Sequence, residues 1–233
     1  MRSSIWAAVV LLVSLLSLVN SAEKVEAESL FPWLMTNYKH AHLTDKQKAI
    51  YRDAVFETAG FILYGRANGK NPNRIKTLNA WTNCVNKLRD NPSWSPNLSW
   101  RWGKDLDKSA AYVLYNLVAP LKCQPYFEYY EEAEGSPRKI LRLFNFEDWE
   151  AFSLKEKAVY VSGYVDLAAV LELRKKEAGV KSSLRDIQII IEVTGIDGIL
   201  DEVLKIQFEK QFPLPWSIAR GFGAARDRVF KSK

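Results

Sequence analysis

Leu43-Thr-Asp-Lys-Gln-Lys-Ala-Ile-Tyr51 and Phe152-Ser-Leu-Lys-Glu-Lys-Ala-Val-Tyr160 stand 109 positions apart and spell nearly the same stretch. Lys46, Lys48, Ala49 and Tyr51 return as Lys155, Lys157, Ala158 and Tyr160. Farther on, Phe56-Glu57 aligns with Val165-Asp166, and Ala59 with Ala168. Each copy opens with a capping box, Thr44 three residues before Gln47 and Ser153 three before Glu156. The hydroxyl takes a backbone N–H that the first turn leaves without a carbonyl, and the longer side chain reaches back to the cap. Behind the caps, Ile50, Tyr51, Ala54, Val55, Ala59, Ile62 and Leu63 recur at helical spacing. Val159, Tyr160, Gly163, Tyr164, Leu167, Ala168 and Leu171 do the same in the second copy. Two amphipathic helices with one start signal are predicted; an internal duplication is the expected source of the match, and coincidence of caps and lysines is the alternative.

Outside these helices the copies diverge but keep a rough order. Arg74 to Leu88 places Ile75, Leu78, Trp81, Val85 and Leu88 on one helical face. Asp107 to Val118, rich in Ala110, Ala111, Val113, Leu114 and Leu117, predicts another helix that Pro120 stops. In the second copy Asp197 to Lys210 spaces Ile199, Leu200, Val203, Leu204 and Phe208 as a helix does. Pro215 suits the start of a last helix running to about Val229. Asp186 to Val193 has the isoleucine run of a strand, but its flanks favour helix. Between the copies, Gln124 to Tyr130 and Lys139 to Phe144 flank the turn signal Glu134-Gly-Ser-Pro137, which permits a short β-hairpin or a surface linker. The expected fold is all-α with two tandem related helical units, 23–123 and 146–233, joined by residues 124–145.

The first 22 residues read as a cleavable export signal. Arg2 supplies the positive start, Ile5 to Val19 the apolar stretch, and Asn20-Ser21-Ala22 the small-residue cleavage region. An apolar run of about 15 residues is short of the roughly 20 that cross a bilayer. No later stretch is as apolar, so no stable membrane span is expected after cleavage. The expected location is the periplasm or the secreted fluid. There Cys84 and Cys123, 39 positions apart, are expected to pair. Loop entropy gives such a bridge about 4 kcal/mol. The competing reading is a thiol nucleophile served by His40 or His42, the only histidines.

The net charge of +6 is spread over interleaved acids and bases with no basic cluster, so nucleic acid is not an expected partner. About 210 mature residues of ordinary charged and apolar content suffice for a globular core.

Phe146-Glu-Asp-Trp149 followed by Phe152 through Asp166 resembles a group of small uncharacterised secreted bacterial proteins. Their pattern is a Trp, a capped helix start and then Tyr-Val-x-Gly-Tyr/Phe-x-Asp-Gly. This chain departs from it with Leu167 at the last Gly. Phe212-Pro-Leu-Pro-Trp216 is similar to the stretch before their final helix. The first copy resembles the periplasmic immunity proteins that neutralise type VI secretion amidase toxins. That resemblance implies a helical hairpin closed by Cys84 and Cys123, with Asn91-Pro-Ser-Trp94 in its interhelical loop. Val85-Asn86 departs from the Cys-x-Pro of that group.

Four features carry candidate chemistry. Glu57 and Asp166 occupy matched positions; converging carboxylates perform acid–base work, whereas buried ones anchor hydrogen bonds. His40-Ala-His42 offers two imidazoles, but no nearby acid or thiol completes a metal set, and an exposed lead-in to the first helix is expected. Trp94, Trp100, Arg101 and Trp102 crowd a segment broken by Pro92, Pro96 and Gly103. Exposed, they form a partner-binding surface; packed, they form an apolar lid. Gly221-Phe-Gly223 lacks the third glycine and the preceding strand of a phosphate loop. No Ser-His-Asp, nucleotide or haem pattern occurs, and neither a cofactor nor a catalytic residue is assigned. The expected function is a non-enzymatic binding or interaction protein, acting on another envelope or secreted protein, with immunity-like inhibition as one version. The alternative is a cell-envelope hydrolase using Glu57 and Asp166.

Overall fold

The computed structural model describes residues 35, 39–40, 42–67, 72–89, 109–115, 142–208 and 213–231, and every regular element among them is a helix. In chain order these are α1 (Asp45–Ala67), α2 (Pro72–Arg89), α3 (Ala110–Val113), α4 (Phe146–Ala151), α5 (Leu154–Glu177), α6 (Leu184–Leu204) and α7 (Leu214–Lys231). The described part of the chain is all-α. The expected signal segment 1–22 lies outside the described residues, as does the hairpin or linker up to residue 141; of the predicted Asp107–Val118 helix, residues 109–115 are described and Ala110–Val113 forms α3.

Both predicted capping boxes form. At α1, Thr44 Oγ1 accepts from Gln47 N–H at 3.3 Å and Gln47 Oε1 accepts from Thr44 N–H at 3.1 Å. At α5, Ser153 and Glu156 exchange the same two bonds at 3.3 and 2.9 Å. A third box, Asn145 with Asp148, starts α4 one short turn earlier, so two caps in succession steer the chain into α5. Arg174, Lys175 and Lys176 lie in the last turn of α5, where positive charge complements the helix dipole.

The isoleucine run resolves as helix. Ile187, Ile190 and Ile191 are buried while Val193 is 66% exposed, the spacing of a helical face and not of a strand. The helix predicted over Asp197–Lys210 is corrected at both ends: helix begins at Leu184 and ends at Leu204, which is exposed, not buried. Between the two parts Gly195 adopts φ 65° and ψ 175°, a left-handed conformation that bends the run and that side-chain-bearing residues rarely adopt.

α1 packs along α5 and against α2, α6 packs on α5 and α7, and α7 also touches α1. One cluster of buried apolar residues runs from Tyr51 and Trp81 through Trp149, Tyr160 and Leu167 to Ile190 and Ile218. Position 163 marks the α1–α5 crossing. A Cβ there would meet Ala54 Cβ and the Tyr51 carbonyl oxygen at 2.9 Å, so only glycine lets the two backbones come this close. Ala54 and Gly163 are themselves 109 positions apart.

Candidate functional site

Glu57 stands on the buried side of α1 and Asp166 on the buried side of α5, and each engages the tyrosine of the other helix. The Tyr160 phenol donates to Glu57 Oε2 at 2.7 Å, and the Tyr51 phenol donates to Asp166 Oδ2 at 2.6 Å. Backbone groups complete both sites. Leu143 N–H donates to Glu57 Oε1 at 3.1 Å, and Met35 N–H donates to Asp166 Oδ2 at 3.0 Å. Leu143 leads into α4 and α5, and Met35 leads into α1. Each acid therefore ties down both the tyrosine of the opposite helix and the chain that delivers that helix.

Rings close over the phenols. His40 lies edge-on to Tyr51 at 5.2 Å, and Trp149 lies edge-on to Tyr160 at 5.9 Å. His40 and Trp149 are 109 positions apart, as are Met35 and Phe144, the latter packed on Tyr160 at 5.9 Å. At the surface Lys46 Nζ reaches Glu156 at 2.7 Å, joining the first turns of α1 and α5.

Burial sets the electrostatics. Glu57 and Asp166 are 0% and 1% exposed. Burial pushes the Glu57 carboxyl up to about 8, against the bonds from Tyr160 and Leu143, and neighbouring Asp53 adds to the rise. Asp166 is pushed up to about 7 by burial, opposed by Tyr51, Met35 and the charge of Lys39. Tyr51 and Tyr160 are held well above the ordinary phenol range by burial and then by their acid partners. Burial and then Lys48 lower His40 to about 4, so it is a neutral ring at physiological pH. The two sites differ in one respect. Both Glu57 oxygens accept bonds, whereas Asp166 Oδ1 has no partner among the described residues.

A general acid or base must reach the atom it protonates. Here both acids are enclosed and committed to tyrosines and backbone amides, which is the geometry of a brace. The structure thus brings the predicted Glu57–Asp166 pair to one crossing, as buried hydrogen-bond anchors. The expectation of an exposed histidine lead-in is corrected at one residue. His42 is exposed, but His40 is 1% exposed, because its ring fills the space over Tyr51. Among the described residues no three His, Cys, Asp or Glu side chains gather as metal ligands. Gly221 and Gly223 lie inside α7, with Gly221 against Val203 of α6, and not in a phosphate loop.

Trp94, Trp100, Arg101 and Trp102 lie outside the described residues, as does Cys123. Cys84 is buried on α2. No described helix is long and apolar enough to cross a membrane. The residues that sequence reasoning missed are Tyr51 and Tyr160 as partners of the acids, and His40 and Trp149 as their covers. Extending the 109-residue shift a few positions before the caps pairs His40 with Trp149. No family model matches the chain, and neither a curated protein nor a solved structure does.

Proposed function

We propose that this chain is an exported, non-enzymatic interaction protein built from two related helical units, with its recognition surface on the segment of Trp94, Trp100, Arg101 and Trp102. The observation that carries binding over hydrolysis is the commitment of Glu57 and Asp166 to reciprocal tyrosine bonds in the core. A two-carboxylate hydrolase needs these groups open to a substrate and a water. In the brace they hold helices. Relatedness of the units is supported by the matched pairs Thr44 and Ser153, Tyr51 and Tyr160, and Glu57 and Asp166, which play matched roles.

Export draws on the leader-like first 22 residues. A Cys84–Cys123 bridge draws on the burial of Cys84 and on the lack of any free cysteine among the described residues. Inhibition of a toxin, as in the type VI amidase immunity proteins, is the version that the resemblance of the first unit favours. In that version the partner is another envelope or secreted protein.

The test expresses the chain with its own leader, recovers the periplasm and alkylates it without reductant before intact mass measurement. A mass lacking about 22 residues with both thiols blocked supports export and the bridge together; two alkylated cysteines remove the bridge. On that material, Trp94→Ala, Trp100→Ala and Arg101→Ala should each keep the melting temperature and weaken co-purification of an envelope partner. Unchanged co-purification in all three removes the surface assignment. Hydrolysis of cell-wall polymer by the wild type, abolished in a folded Glu57→Gln variant, would return the alternative.

A further inference from the structure

α6 and α7 form an antiparallel pair, with Val203 against Gly221 and Glu202 bonded to Arg228 at 2.8 Å. The buried sides of the two helices pack on α5, and α7 also packs on α1. On the side turned to solvent, large apolar residues come to the surface. Val193 and Leu204 of α6 are 66% and 43% exposed, and Trp216 and Phe230 of α7 are 39% and 40% exposed. Trp216 stays this exposed although Phe61 of α1 lies edge-on to it at 6.1 Å. Among the described residues only Leu154 and Val180 are comparable, and they lie apart, at the start of α5 and in the turn before α6.

The charges of the pair segregate by helix. α6 carries Asp186, Glu192, Asp197, Asp201 and Glu202 against Arg185, whereas α7 carries Arg220, Arg226, Arg228 and Lys231 against Asp227. Asp197, Asp201 and Leu204 follow one another at helical spacing on the exposed side of α6, opposite the buried Ile199, Leu200 and Val203. Asp197 and Asp201 meet no cation among the described residues. On α7, Arg226 and Lys231, 57% and 75% exposed, share the carboxylate of Asp227. The face is therefore an acidic column beside a basic one. Val193 and Phe230 lie at one end of it, and Leu204 and Trp216 lie towards the other.

We infer that this face is where two copies of the chain associate, α6 of each lying over α7 of the other. Adjacent columns of opposite charge fit themselves. A half-turn about an axis parallel to the helices sets acid over base twice, through one self-complementary patch. A half-turn about the axis across the helices sets like over like and is repelled. Heights along the pair follow from its internal contacts, Val203 level with Gly221 and Gly198 level with Arg228. Val193 then comes level with Phe230 of the second copy, and Asp197 and Asp201 with the stretch that carries its Arg226 and Arg228. An anionic lipid surface drawn to α7 would be repelled by α6, which is why the occupant is a second copy. α7 has 18 residues. At about 27 Å long and about 20 Å across two helices, the face covers about 500 Å² per copy, the low end for a specific interface, so the dimer is a reversible one. It is separate in sequence from the segment of Trp94, Trp100, Arg101 and Trp102 proposed to recognise another protein.

The experiment is sedimentation velocity of the protein produced from the full sequence, from about 1 to about 100 μM, where small interfaces associate. The mean mass should rise with concentration from one chain towards two. Asp197→Lys with Asp201→Lys, and separately Arg226→Glu with Lys231→Glu, set like charge over like and should each weaken the dimer by about tenfold or more. Mixed in equal amounts, the two variants should dimerise about as tightly as the wild type, because a basic face then meets an acidic one. All four side chains are exposed, and an unchanged melting temperature checks the fold. Should a double variant unfold, the single Asp201→Lys takes its place, with weakening expected and an unchanged dimer counting against the face. A wild type that stays monomeric throughout, a dimer indifferent to both reversals, or a mixture that fails to re-form it overturns the assignment. A monomer that binds vesicles of phosphatidylcholine with phosphatidylglycerol overturns it in favour of a lipid surface.

Discussion

Tyr51 and Tyr160 occupy matched places on α1 and α5 and make matched bonds, yet their surroundings differ. Around Tyr160 the helix buries Val161, Val165 and Leu167, and Trp149 and Phe144 pack on the ring. Around Tyr51 the corresponding positions of α1 carry Arg52, Phe56 and Thr58, and the covering ring is His40. The second site is an apolar aromatic nest and the first is a polar one, facing an α2 that buries Asn79 and Thr82. The bonds that cross between the helices are alike where α1 and α5 face each other. The residues that face away follow whatever each helix packs against. A brace of this kind tolerates exchange of its neighbours but not of its four members.

The largest effect expected is at the apolar site. Trp149→Ala should cost about 3–5 kcal/mol in a denaturant melt, while His40→Ala, which removes less apolar contact, should cost clearly less. Equal losses would erase the contrast between the two sites. At the crossing itself, Gly163→Ala should cost about 1–3 kcal/mol by overpacking, because the new methyl meets Ala54 and the Tyr51 carbonyl. A variant as stable as the wild type would mean that α1 and α5 part without penalty.

Tyr51→Phe and Tyr160→Phe each remove one phenol from a buried acid and should each cost about 1–3 kcal/mol. The comparison sharpens if Tyr160→Phe costs more, since both Glu57 oxygens are engaged and one is then left bare. As pH falls from 6.5 towards 4, keeping the His40 ring neutral in the core costs stability, while the raised carboxyls of Glu57 and Asp166 add to it. His40→Phe removes the opposing contribution, so its melting temperature should gain more over this range than that of the wild type; parallel profiles would assign the ring no part in the pH dependence. Smallest of all, Thr44→Ala and Ser153→Ala should each cost about 1 kcal/mol, measured by chemical denaturation. A large difference between them would break the equivalence of the two starts.

The helix starts were legible because a capping box is a local device: three residues of spacing and two hydrogen bonds decide it, whatever lies elsewhere. The all-α class was legible for a similar reason, since the apolar spacing in each stretch already states which face must be covered. Even the ambiguous isoleucine run kept helical spacing once Ile187, Ile190 and Ile191 were counted apart from Val193. The likeness of the two stretches also marked Glu57 and Asp166 as a matched pair. Their role was not legible, because whether a carboxylate meets a substrate or a tyrosine depends on what stands across the crossing more than 100 residues away. His40 shows the same limit, as its short polar lead-in reads as surface until Tyr51 needs a ring above it. Local chemistry determined where this chain turns helical. Tertiary packing alone decided which polar groups it encloses, because enclosure depends on partners that no single stretch contains.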